Sequence, residues 1–133
     1  MADSWYTKAR QSIGQAEINL LTDDIRVLLA TAGYSPNLAT DQYVSAIGSG
    51  NIAARSSTLG SRAFSGIYLT AANPTLSLVP AGAACPYLII FKWTGSDSTS
   101  PLLVKIDQGN NLPVTPTGSD ITVQWNTLGV CEV

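Results

Sequence analysis

The side chains able to do chemistry in this 133-residue chain are nine carboxylates, seven basic groups, two cysteines and three tryptophans, and histidine is absent. Without imidazole there is no Ser-His-Asp or Cys-His pair and almost none of the usual zinc sites. Asp23-Asp24 would be a metal or acid/base pair, but neighbours in a strand project to opposite faces, and this pair falls where a turn is needed. Asp107 and Asp120 lie at strand ends and could meet as paired carboxylates. Asp120, just before Ile121, equally reads as a turn aspartate. The run Gly95-Ser96-Asp97-Ser98-Thr99-Ser100 could cradle a phosphate or calcium ion, yet it lacks a lysine and offers one carboxylate. It reads as a solvated hairpin loop. Arg55 and Arg62 flank Ser56-Ser57-Thr58-Leu59-Gly60-Ser61 and are candidates for an anionic contact on a partner; the plainer reading is solvated surface charge. Trp93 and Trp125 could stack on a sugar ring, although tryptophans in strands more often serve the core or an interface. Cys85 and Cys131 lack CxxC spacing and are expected as reduced thiols, with a disulfide after release from a cell as the alternative. No catalytic residue, metal ligand or cofactor is expected.

Only 12% of the residues are charged and 45% are hydrophobic, against roughly a quarter charged in an average soluble domain. A chain of this length can bury a core of its own without metal or disulfide staples. The net charge of -2, with no run of Lys or Arg, argues against nucleic acid as a partner. Residues 1–12 are too polar for a secretion signal, which places the chain in the cytosol, and residues 76–91 are broken by Pro80, Gly82 and Pro86, which argues against a membrane span. A surface this poor in charge commonly goes with protein–protein contact.

The elements that must position these groups read as strands. Ile121, Val123 and Trp125 alternate with Thr122, Gln124 and Asn126, and Leu102, Val104 and Ile106 alternate with Leu103, Lys105 and Asp107, each giving one core-facing side. Residues 87–94, apolar on both faces, predict a central covered strand containing Leu88 and Ile90. Residues 25–32 predict a strand, paired as a hairpin with Ile18-Asn19-Leu20 across Thr22-Asp23-Asp24. Thr40 as a cap, Asp41 in a first turn, a face of Tyr43, Val44 and Ile47, and Gly48 as a stop predict the one short helix. Residues 49–64 read as a loop or weak edge, and two short strands carrying Ile67, Leu69, Leu76 and Leu78 flank Ala71-Ala72-Asn73-Pro74. The expected fold is all-β: an antiparallel β-sandwich or flattened barrel, jelly-roll-like, with one short helix. Residues 13–133 form the β domain. Residues 1–12 are either its first strand or an extended arm whose Trp5 and Tyr6 anchor a neighbour.

The segments Tyr87-Leu88-Ile89-Ile90-Phe91-Lys92-Trp93-Thr94-Gly95, Ser100-Pro101-Leu102-Leu103-Val104-Lys105-Ile106-Asp107-Gln108-Gly109 and Gly118-Ser119-Asp120-Ile121-Thr122-Val123-Gln124-Trp125-Asn126 resemble small virion structural proteins of tailed bacteriophages. Asp24-Ile25-Arg26-Val27-Leu28-Leu29 followed by Tyr34-Ser35-Pro36 is similar to the same group. The resemblance implies a capsid decoration (cement) protein without enzymatic activity. Such a protein is assembled in the bacterial cytoplasm into the virion and binds the major capsid protein, as a homo-oligomer with a trimer favoured. The alternative it leaves is a tail, fibre or head–tail component, with host glycan bound through Trp93 or Trp125. A carboxylate-dependent hydrolase is the remaining class.

Overall fold

A computed structural model describes residues 3–107 and 112–133. The chain folds as an all-β protein of antiparallel sheets with one short α-helix, as the alternation predicts. In chain order the elements are β1 (Asp3–Trp5), α1 (Thr7–Gly14), β2 (Ile25–Ala30), β3 (Ile52–Arg55), β4 (Ala63–Ser65), β5 (Tyr68–Thr70), β6 (Thr75–Leu76), β7 (Tyr87–Lys92), β8 (Leu102–Ile106), β9 (Ile121–Thr122) and β10 (Cys131–Glu132). A five-stranded sheet runs β1-β8-β7-β2-β3, a three-stranded sheet runs β10-β5-β4, and β6 pairs with β9.

β7 is the middle strand of the large sheet, and Leu88, Ile89, Ile90 and Phe91 are all buried. Consecutive residues point to opposite faces, so burial of the whole run means that both faces are covered. Its neighbours β2 and β8 are buried almost as completely. Leu69, Leu76 and Cys131 from the smaller sheets, with Val123 just after β9, join the same cluster. Of the expected core, Leu88, Ile90, Leu102, Val104, Ile106 and Val123 are buried, while Ile121 and Trp125 are only half-buried against it.

Three local readings are corrected. The helix lies at Thr7–Gly14, not within residues 38–48, where there is a single 3-10 turn over Val44–Ala46. The reason is competition for backbone groups. The Val44 and Ser45 amides donate to the carbonyls of Ser100 and Asp97, and the Leu102 amide donates to Gln42, so the loop after β7 takes the groups a helix would use. Asp41 accepts hydrogen bonds from Tyr34 Oη and the Asn37 amide instead of starting a helix. Residues 18–20 form no strand: Asn19 Oδ1 accepts from the Leu21 and Thr22 amides, making a turn, and the partners of β2 are β3 and β7. Residues 49–64 are more ordered than expected, supplying edge strand β3 and most of β4.

Residues 3–5 form a first strand at the edge of the large sheet. Ser4 and Trp5 pair with Lys105 and Val104. Tyr6 is fully buried, and its hydroxyl lies 2.8 Å from that of Tyr34. Tyr34 Oη donates in turn to Asp41 Oδ2 at 2.7 Å. This relay fastens the entrance of α1 to the 34–41 loop. α1 buries Ala9 and packs on β8; with no side-chain cap at its N-terminus, it is held by these tertiary contacts rather than by its own signals.

Candidate functional site

The carboxylates suspected of chemistry each have a local task, and the described partners keep them apart. Asp24 receives both Nε and a terminal nitrogen of Arg26 at 2.9 Å, together with the Thr58 hydroxyl. The Arg26 guanidinium above all, with Thr58 adding to it, holds the Asp24 carboxyl below the usual aspartate range. Asp23 accepts from the Asn19 amide and pairs with Lys92 at 3.0 Å; the amide is the larger cause of its lowered pKa. Asp107 pairs with Lys105 at 3.0 Å at the end of β8, whereas Asp120 accepts from the Leu78 amide at 2.8 Å. Leu78 has φ +47, so Asp120 secures a left-handed turn. Among the described residues no three His, Cys, Asp or Glu side chains gather as metal ligands would. No described helix is long and apolar enough to cross a membrane.

Arg55 and Arg62 are not brought together on a common anion. Arg55 makes a two-pronged pair with Asp97 in the loop after β7, which holds the Asp97 carboxyl below the usual aspartate range. That loop is the solvated hairpin connection expected, with Asp97 as the partner that residue spacing could not reveal. Arg62 donates to the main-chain carbonyls of Leu20 and Asp23. Its work is to brace the turn ahead of β2.

Trp93 lies beside two cations: the guanidinium carbons of Arg26 and Arg55 are 5.5 and 5.9 Å from its ring centroid. Both lie within the range at which a guanidinium is attracted to the ring's negative face. Trp125 donates from Nε1 to the Ala72 carbonyl at 3.0 Å and is partly buried. Trp5, half-buried, donates from Nε1 to the Glu132 carbonyl at 2.6 Å, with Arg10 6.0 Å from its ring. It thereby ties β1 to β10. Cys85 and Cys131 are both buried as thiols, and burial pushes the Cys85 pKa up, away from reactivity.

Two surfaces poor in charge stand out once these contacts are assigned. The first is a cleft of about 580 Å³ between residues 31–33 and 50–53 on one side and Pro80, Gly82, Ala83 and Pro116 on the other. Its walls carry no ionisable side chain. The second is the free margin of the three-stranded sheet. Phe64, Ile67 and Val133 are each about half exposed there. Val133 faces Ile67, whose carbonyl accepts its amide at 2.8 Å, and Phe64 is opposite Leu69. Residues paired in this way share a face, so the buried Leu69 continues outward into exposed apolar side chains. Val133 also borders a hollow of about 210 Å³ with Trp5, Arg10 and Ile13. Reading by strand alternation missed this margin because Phe64 sits in a stretch dominated by Gly, Ser and Arg.

No protein-family model matches the chain, and no curated protein matches it either.

Proposed function

We propose that the chain is a non-enzymatic structural component of a tailed-phage particle, seated on the outside of the shell, where it bridges subunits of the major capsid protein. The observation that carries this reading is where the charge goes. Arg26, Arg55, Lys92 and Lys105 are each spent on a carboxylate of the same chain, and Arg62 is spent on main-chain carbonyls. Lys8 and Arg10 of α1 lie outside these pairs; the open surfaces are otherwise a cleft walled by small uncharged residues and an apolar sheet margin. Such surfaces favour contact through packing and main-chain hydrogen bonds, as expected of a protein that cements others. The resemblance of the strand segments to phage virion proteins supplies the choice of partner. Placing Asp23, Asp24, Asp97 and Asp107 in ion pairs of the fold itself likewise supports a structural role over hydrolysis.

Particles of the phage that encodes this chain provide the test, with the 14.0 kDa band measured against the major capsid protein on a denaturing gel. A copy number close to that of the capsid subunit supports decoration, whereas a few copies per particle would move the chain to the tail or head–tail joint. Absence from particles would overturn both. Moderate salt should leave the bound protein in place, because screening acts mainly on exposed charged contacts.

A further inference from the structure

We propose that two copies of this chain pair through β4, edge to edge and antiparallel, about a two-fold axis at Phe64. The proposal stands apart from the virion reading, since a dimer in solution neither requires nor excludes a capsid.

The direction of the main-chain groups follows from the ladder. In β5 the Leu69 carbonyl accepts from the Val130 amide, and the Ile67 carbonyl accepts from Val133, so these alternate residues face β10. Tyr68 and Thr70 must then face the other way, toward their register partners Ser65 and Ala63. The Thr70 hydroxyl donates to the Ala63 carbonyl, on that same side. Phe64, between them, is therefore left with its N–H and C=O pointing outward from the sheet edge. Its ring lies on the face of buried Leu69, yet it is 45% exposed. All three residues of β4 are exposed.

An open edge is usually guarded by its shortness or by a lysine, a proline or an inward charge. β4 is short, at three residues, but neither it nor β5, with the turn residues Gly66 and Ile67 between them, carries any of the chemical guards. The nearest charge, Arg62, is turned into its own chain.

A second copy fits this edge in charge and in register. With Phe64 opposite Phe64 of the second copy, each donates its outward N–H to the other's C=O, and Ala63 faces Ser65 on both sides. The two rings meet on one face, extending the apolar row that runs from Cys131 through Leu69 to Phe64. A strand bearing charge would set that charge against Phe64 and Ile67, whereas the same neutral hairpin brings none. The contact is isologous and closes after two copies, unlike the three-fold assembly that the resemblance implies.

Sedimentation of the full chain over a concentration series tests this, alongside Phe64→Pro and Phe64→Ala. The expected mass at high concentration is twice 14.0 kDa. Phe64→Pro removes the outward donor while sparing the bonds of Ala63 and Ser65, and it should raise the dissociation constant about tenfold or more. Phe64→Ala, which keeps the donor and loses the ring, should also weaken the pair. In the unaltered chain, exchange of the Phe64 amide should slow as concentration rises; this readout decides the matter if Phe64→Pro does not fold. A monomer at every concentration, a trimer, a dimer indifferent to Phe64→Pro, or a Phe64 amide whose exchange ignores concentration would each overturn the proposal.

Discussion

β7 and β4 are both short antiparallel strands, yet one is enclosed on every side and the other is open on nearly every side. β7 has strands on both edges and buried residues on both faces. β4 has one neighbour and no buried residue. β7 is paired with a strand of the same chain along both edges, and side-chain volume is what matters. In β4 the side chains contribute little to the fold, and the unpaired groups of Phe64 are what remain. The contrast separates residues that hold the molecule together from residues available to something else.

The comparison is broken most directly by truncating one side chain in each strand. Ile90→Ala should cost roughly 2–5 kcal/mol of unfolding free energy, the usual range for emptying a closed core site. Phe64→Ala, measured at a dilution where the chain is monomeric, should change stability by no more than about 0.5 kcal/mol. Equal effects in denaturant titrations would mean that the two strands are not the opposites described. A second break lies behind β5. Gly129 has φ +143, and an added Cβ would sit 2.5 Å from the Leu69 carbonyl oxygen. Gly129→Ala should cost at least about 1–3 kcal/mol from backbone strain alone and disturb β10 while leaving β7 intact, which amide exchange along the two strands would show.

Alkali sharpens the comparison on the enclosed side. Burial, partly offset by the hydrogen bond with Tyr34, pushes the Tyr6 hydroxyl up to about 12. Burial followed by the bonds to Tyr6 and Asp41 raises Tyr34 further. Because the folded chain holds these protons more tightly than the unfolded one, stability is fully present below the ordinary tyrosine value of 10.0 and falls as pH climbs toward 12. Phenolate absorbance and unfolding should rise together in that window; Tyr34→Phe should reduce the alkaline loss while weakening the hold on the 34–41 loop. The smallest effect is expected at the surface. Asp97→Asn removes the pairing with Arg55 and should cost no more than about 1 kcal/mol at neutral pH. The depressed carboxyl makes that contribution present above the ordinary aspartate value of 3.8 and lost as pH falls below it, so wild type and Asp97→Asn should converge in acid.

How much was legible in the residues follows the same division. The runs around Leu88-Ile89-Ile90-Phe91 and Leu102-Leu103-Val104 announce buried strands because side-chain period and burial coincide there. The Thr40-Asp41 signal for a helix was real but local, and main-chain pairing of Val44 and Ser45 with the loop after β7 outweighs it. α1 was overlooked because Ala9 is its only buried residue and the ring that anchors it, Tyr6, precedes it. The partner of Arg55 lies 42 positions away, a separation that no spacing rule joins. The orientation of Phe64 depends on the turn length after Ser65 and on which residues of β5 face β10; both are properties of the assembled sheet.

Trp5, on the first strand, donates to a carbonyl 127 positions later, and β1 lies beside β8 rather than near β2. During synthesis, β2 and β3 could meet early, but the central β7 joins them only after most of the chain has been made, and β8 and then β1 close the sheet from its far side. Until then, Tyr6 and the apolar face of β2 have no permanent cover. The open interval is a matter of translation timing: slowing elongation after β2 has emerged and before β7 and β8 have cleared the ribosome should lengthen exposure to chaperones and self-association.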